Sequence, residues 1–118
     1  MSRPWRAKFA DAGRGLAVAA RTQSSFRTHL LAAGVVAGGA GGLRCSPVEW
    51  ALLLGAVGLV LTAELLNTAI ELLFKGLPQA ERDRVYPCLD VAAGGVLAAS
   101  ATAAAVGLLV FVPRLLSL

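Results

Sequence analysis

Val48 to Phe74 is an almost unbroken apolar run, and a polar signature, Glu64-Leu-Leu-Asn67-Thr68-Ala-Ile-Glu71, is set inside it. As a helix, about 27 such residues rise roughly 40 Å, enough to cross a hydrocarbon core about 30 Å thick. Few folds accept such a segment, because every backbone polar group must be satisfied within the helix itself. Ionisable side chains at that depth are costly and mark function by default. Helical residues advance about 100° each, so Glu64 and Glu71 lie within roughly 20° of one another around the axis, with Asn67 about 60° away. The three polar groups share one stripe. Lipid cannot solvate it, so it must face protein, water or a ligand.

Composition agrees. The 118 residues are 57% hydrophobic and 15% charged, against about 25% charged in soluble domains. The chain is read as one small all-α membrane domain over residues 1–118. The net charge is +4, and its placement carries more information than its size. Arg3, Arg6, Lys8, Arg14, Arg21 and Arg27 precede the first apolar stretch, and Lys75, Arg82 and Arg84 follow the second. Only Arg44 and Arg114 mark the opposite side. The positive-inside rule then puts the N-terminus and the second loop in the cytoplasm and the C-terminus outside. Anionic headgroups account for the basic excess, so no nucleic-acid partner is inferred. The long charged leader is unlike a cleavable signal peptide. Cys45 and Cys88 fall in opposite loops, beyond disulfide reach.

The expected organisation is an amphipathic surface helix over about 3–27, crossings at 28–43, 48–75 and 90–112, and a cytoplasmic loop at 76–88. Trp5, Phe9, Leu16 and Ala20 supply the apolar face of the surface helix. The first crossing carries Gly34, Gly38 and Gly42, and the third Gly95, Ala99, Ala103 and Gly107, at a period that lets helices approach closely in lipid. Trp50 is expected at the outer interface. Counted from it, Glu64 lies about 21 Å deeper and Glu71 about 32 Å deeper, so the carboxylate stripe opens toward the cytoplasm. Glu49 is likewise read as an outer anchor, and His29 as an interfacial residue with no part in catalysis.

Carboxylates one to two turns apart can hold a divalent cation, and one shielded from water can serve as a base. Phosphoryl transfer to a lipid hydroxyl uses both functions. Proton-coupled transport uses the same kind of intramembrane Glu. The residues alone leave these open.

The signature from Glu64 to Glu71 resembles the second-helix motif of the small bacterial diacylglycerol kinase and undecaprenol kinase family. Ala19-Ala-Arg21-Thr22-Gln23-Ser-Ser-Phe26-Arg27-Thr-His29, Ser46-Pro47-Val48-Glu49-Trp50, Asp90-Val-Ala-Ala-Gly-Gly-Val-Leu97 and the segment Gly107 to Pro113 are similar to other family stretches at matching spacing. The resemblance implies a homotrimer of three-crossing subunits in the bacterial inner membrane, with sites shared between subunits. It implies transfer of the γ-phosphate of ATP, with Mg²⁺, to the hydroxyl of diacylglycerol or undecaprenol. Glu64 would be the general base and Asn67 would orient groups beside it. Glu71 would hold the metal, and Asp90, Glu81 and Arg82 would contact the nucleotide.

Three positions depart from that pattern. Gln23 stands where the family has a second metal-binding Glu, Leu89 where it has Lys before the Asp, and Lys75 where an acid is common. Gln23 can still offer an amide oxygen to the metal. Lys75, Arg82 or Arg84 would replace the phosphate-binding cation missing at 89, and Lys75 is positioned to pair with Glu71. The competing readings are an inactive oligomeric relative and a small Glu-based transporter.

Overall fold

The computed structural model describes residues 3–118 as five helices: α1 Trp5–Thr22, α2 Ser24–Gly42, α3 Pro47–Lys75, α4 Gln79–Val85 and α5 Pro87–Leu116. No strand occurs among the described residues.

The expected surface helix over 3–27 ends earlier. Gln23 takes an extended conformation (φ −113°, ψ 109°) and separates α1 from α2. The last carbonyls of α1 would be orphaned there. Arg27, one turn into α2, donates from Nη1 to the carbonyls of Ala20 (3.0 Å) and Arg21 (3.1 Å), and the break is stabilised from across it. On α1, Trp5 and Phe9 meet edge to face with ring centroids 5.9 Å apart. Both, with Leu16, stay exposed, whereas Ala19 near the end of the helix is buried and Ala20 half-buried.

The turn after α2 is a Schellman motif. Cys45 N–H donates to Ala40 O (3.0 Å) and Arg44 N–H to Gly41 O (3.3 Å). The motif needs a left-handed residue, and Arg44 supplies it at φ 54°, where glycine is the usual occupant. Ser46 then caps α3. Its hydroxyl accepts from Glu49 N–H (3.2 Å), and the Glu49 carboxylate accepts from Ser46 N–H (2.8 Å), a complete capping box with Pro47 opening the helix.

One face of α3 is buried: Leu53, Ala56, Val60, Glu64 and Thr68, spaced by three and four. It packs mainly on α5 and less extensively on α2. Ala40, Leu53 and Val110 form the core, with Val36, Trp50, Val106 and Phe111 packed around them. Trp50, half-buried, packs against this core at the start of α3. Glu49 serves that end too, since its carboxylate takes both Nε (3.2 Å) and Nη2 of Arg114, joining the start of α3 to the end of α5. Helix α5 continues through Pro113, beyond the expected end at 112.

Two helices, α3 and α5, are long and apolar enough to cross a membrane. The expected first crossing at 28–43 is not among them. Its helix, α2, opens on Ser24, Ser25, Arg27, Thr28 and His29 and closes on Gly38, Gly39, Gly41 and Gly42, which dilute its apolar middle. The loop expected at 76–88 contains a helix, α4, that pairs Glu81 with Arg84 and Gln79 with Asp83 (2.7 Å). On α2, Gly34, Gly38 and Gly42 have open space where a Cβ would stand, and Gly39, off that stripe, meets α5, with Phe111 3.6 Å from its virtual Cβ. The α5 stripe faces the other helices, with Ala99 buried and Gly95 in a cavity beside Leu59 and Leu66 of α3.

Candidate active site

Glu64 continues the buried stripe of α3, where Leu53, Ala56 and Val60 precede it at helical spacing. A carboxylate there is retained only if its oxygens are satisfied. Ser25 Oγ donates to Oε2 at 3.1 Å, and the His29 imidazole stands beside the other oxygen, with Nδ1 3.0 Å from Oε1. Both partners come from consecutive turns of one face of α2. His29 Nδ1 also lies 2.9 Å from the Ser25 carbonyl oxygen. The Glu64 side chain is 5% exposed and that of His29 30% exposed.

One turn toward the end of α3, Asn67 Nδ2 donates to Glu71 Oε1 at 2.5 Å. This i,i+4 bond fixes the Glu71 carboxylate and leaves its second oxygen without a partner among the described residues. Glu64 and Glu71 are separated by about 10 Å of helix rise. The stripe therefore resolves into two parts, an enclosed carboxylate held by α2 and a half-buried one held by Asn67.

The other expected site residues are more dispersed. Lys75 is exposed and pairs with no carboxylate among the described residues; Asn67, not Lys75, takes Glu71. Gln23 lies at the α1–α2 break, its amide 3.4 Å from Thr22 Oγ1. Asp90 is exposed in the first turn of α5 and caps nothing, the residue before that helix being Tyr86. On α4, Glu81 is taken by Arg84, while Arg82 Nε is buried without a hydrogen-bond partner. No hydrogen bond or ion pair joins Gln23, Glu81, Arg82 or Asp90 to Glu64 or Glu71 among the described residues.

Sequence reasoning missed Ser25 and His29. A signal was present: His29 is a titratable group at the entry of an apolar segment, four residues after a serine, so both fall on one helical face. The rule applied to Glu64 reaches His29 as well.

Beside this network a groove of about 550 Å³ opens between α2, α3 and α5. It runs from His29 past Val36, Val60 and Ala104 to Leu115, and its walls are almost wholly apolar. His29 lines it and Glu64 does not. No group of three or more His, Cys, Asp or Glu side chains able to hold a metal ion occurs among the described residues.

Comparison with known proteins adds the chemistry. Residues 10–111 match the model of the prokaryotic diacylglycerol kinase family. The chain is 34% identical over 107 residues to undecaprenol kinase of Bacillus subtilis (strain 168), covering 91% of this chain and 87% of that protein. No solved structure gives a significant match. With the all-helical architecture, the two apolar helices and the buried carboxylate on α3, these matches make the chain a member of the prokaryotic diacylglycerol kinase family, a family of membrane lipid kinases.

Proposed function

We propose that this lipid kinase transfers the γ-phosphoryl group of ATP to the terminal hydroxyl of a polyprenol alcohol such as undecaprenol. One observation carries the reading: an enclosed carboxylate, Glu64, hydrogen-bonded by Ser25 and 3.0 Å from the His29 ring, stands behind the polar end of an apolar groove. The groove takes the apolar chain next to the hydroxyl, and the network at its end takes the hydroxyl proton. Identity with an undecaprenol kinase favours the polyprenol. The family description favours diacylglycerol as the second acceptor.

The proposed roles follow chain position. Glu64 is the carboxylate that drives deprotonation of the lipid. Glu71, lower on the same face with one oxygen free, faces the phosphates, and Asn67 orients it. Mg²⁺ fits this arrangement in the way it fits many nucleotide sites, through one or two carboxylates, the phosphates and water, so a three-ligand protein cage is not required. Glu71 would hold it, with Gln23 as a weaker oxygen donor, and the bound ion would neutralise charge developing on the phosphates. Lys75 and Arg82 lack carboxylate partners and are suited to phosphate. Asp90 and Glu81 complete the nucleotide side.

Helix α2 is included as a third crossing. His29 meets Glu64 at one end, and Ala40 packs with Leu53 at the other. Each pair of positions spans about 16 Å of helix, so α2 runs antiparallel beside α3 through the same slab. Three crossings leave the N-terminus and α4 cytoplasmic and the C-terminus outside, in accord with the basic residues. The open glycine edge of α2, Gly34, Gly38 and Gly42, suits close packing of a second and third subunit, in a homotrimer with shared sites.

The test is phosphorylation in mixed micelles with Mg-ATP, offering undecaprenol and diacylglycerol separately, with Glu64→Gln in parallel. Labelled polyprenyl phosphate that disappears with Glu64→Gln supports the reading. Phosphatidic acid as the only product transfers it to diacylglycerol. No product from either, with a folded oligomer, returns the chain to an inactive relative or a transporter.

A further inference from the structure

We infer that the groove reads only the first few isoprene units of its lipid, and that Gly107 is the residue that lets the chain pass beyond the second; this rests on the polyprenol kinase reading above and adds a length rule to it.

The helix register gives the groove a scale. Glu49 at the start of α3 meets Arg114 at the end of α5, and Leu53 packs with Val110, so α5 is antiparallel to α3 and parallel to α2. Phe111 stands level with Gly39, which lies about 15 Å along α2 from His29. Gly107 is one turn nearer, about 9 Å from the level of His29, and Leu115 at the far end is about 21 Å from it. An isoprene unit places four carbons in the chain, and with bonds of about 1.5 Å in a zigzag it advances about 5 Å. Counted from a hydroxyl at the His29 end, about two units reach Gly107 and about four fill the groove. The rest of a longer chain lies outside, in lipid.

The walls favour one isoprenoid chain as the occupant. His29 and Ser100 are the only lining residues with polar side chains, and the register puts both at the same end. His29 Nδ1–H donates to the Ser25 carbonyl oxygen at 2.9 Å, which leaves the Ser100 hydroxyl as the donor at that end. The two ester carbonyls beside a diacylglycerol hydroxyl would be buried there with one donor between them, at a cost. A polyprenol brings no carbonyl.

A chain that moves from lipid into the groove exchanges one apolar surrounding for another and gains packing alone. Selection along the groove is therefore steric. Ala33, Ala56, Ala103 and Ala104 keep the walls thin, and Gly107 lines the groove with nothing within 4 Å of where a Cβ would stand. A leucine at 107 would enter the path of the third unit.

The experiment uses the full chain in mixed micelles with Mg-ATP and three alcohols at equal mole fraction: geraniol with two units, geranylgeraniol with four, and undecaprenol. Wild type should show kcat/KM for geranylgeraniol within about threefold of undecaprenol, because the units beyond the groove are not read. Gly107→Leu should lower kcat/KM for geranylgeraniol and undecaprenol by about 10- to 100-fold and leave geraniol little changed, which also reports that the variant is folded. Gly107→Ala, a change that suits a helix, should shift the same two lipids by a smaller factor. Geranylgeraniol more than about tenfold poorer than undecaprenol in wild type would overturn the length rule. Equal effects of the Ala variant on all three alcohols, or no effect of a folded Leu variant on any, would overturn the role of Gly107. Altered oligomer size in Gly107→Leu with an unchanged length profile would show that a second copy fills the groove, and overturns it too. A wild type inert on undecaprenol removes the kinase reading and this one together, whereas an active wild type with a length-independent response removes this one alone.

Discussion

Asn67→Ala removes the donor that fixes Glu71, and the cost can be worked from the structure. The bond is 2.5 Å long, donated by a carboxamide to a carboxylate within one helix. Hydrogen bonds to charged groups contribute about 1.5–3 kcal/mol. Both residues are half-buried, so water can partly replace the lost donor and the lower end applies. About 1.4 kcal/mol corresponds to a tenfold change in an equilibrium constant. If Glu71 serves the phosphates and their metal, the loss should appear as weaker nucleotide binding. Initial rates against Mg-ATP at saturating lipid should then show an apparent KM raised about tenfold, with kcat within about threefold of wild type. Lys75 lies one turn further along the same helix, so the freed Glu71 gains a competing cation. Asn67→Ala combined with Lys75→Ala should be the cleaner measurement of the lost bond. A fall in kcat with KM for ATP unchanged would refute the reasoning and move Asn67 to the lipid side. No change in either constant would reduce the bond to helix packing.

Arg44→Gly should stabilise the protein by about 1 kcal/mol, because glycine carries no steric penalty in the left-handed conformation that the Schellman turn imposes; a thermal midpoint in detergent that fails to rise would contradict this. Glu49→Ala should destabilise more than Arg114→Ala, since Glu49 closes both the capping box and the pair with Arg114. The order of the two variants in an SDS unfolding titration checks it. Gly39→Leu should lower thermal stability by pressing on Phe111, 3.6 Å from the position of a new Cβ, whereas Gly38→Leu has open space within the protomer. Gly38→Leu should instead change oligomer size in size-exclusion chromatography; an unchanged oligomer would remove that edge of α2 from the proposed subunit contact.

Much of the architecture was legible because its causes are local. Apolar runs of the right length make α3 and α5, Ser46-Pro47-Val48-Glu49 announces the start of α3, and the carboxylate stripe follows from helical periodicity alone. The polar identity of Glu64, Asn67 and Glu71 in an apolar segment was sufficient to single them out as site candidates. Segment boundaries were less legible where they depend on contacts across a break. Gln23 ends α1 with help from Arg27 on the next helix, and the stretch after Lys75 forms α4 through its own i,i+3 and i,i+4 pairs.

The sequence by itself determined that this chain must bury a polar stripe within an apolar helix, because lipid leaves backbone and charge no alternative partner. Tertiary structure alone decided what meets that stripe. Helical geometry relates residues along one helix, but it carries no information about the register between helices. Only the antiparallel docking of α2 on α3 sets Ser25 and His29 against Glu64 and leaves the imidazole, not the carboxylate, lining the groove. The same register separates Glu64 from Glu71, so that carboxylates sharing one face of a helix meet different surroundings.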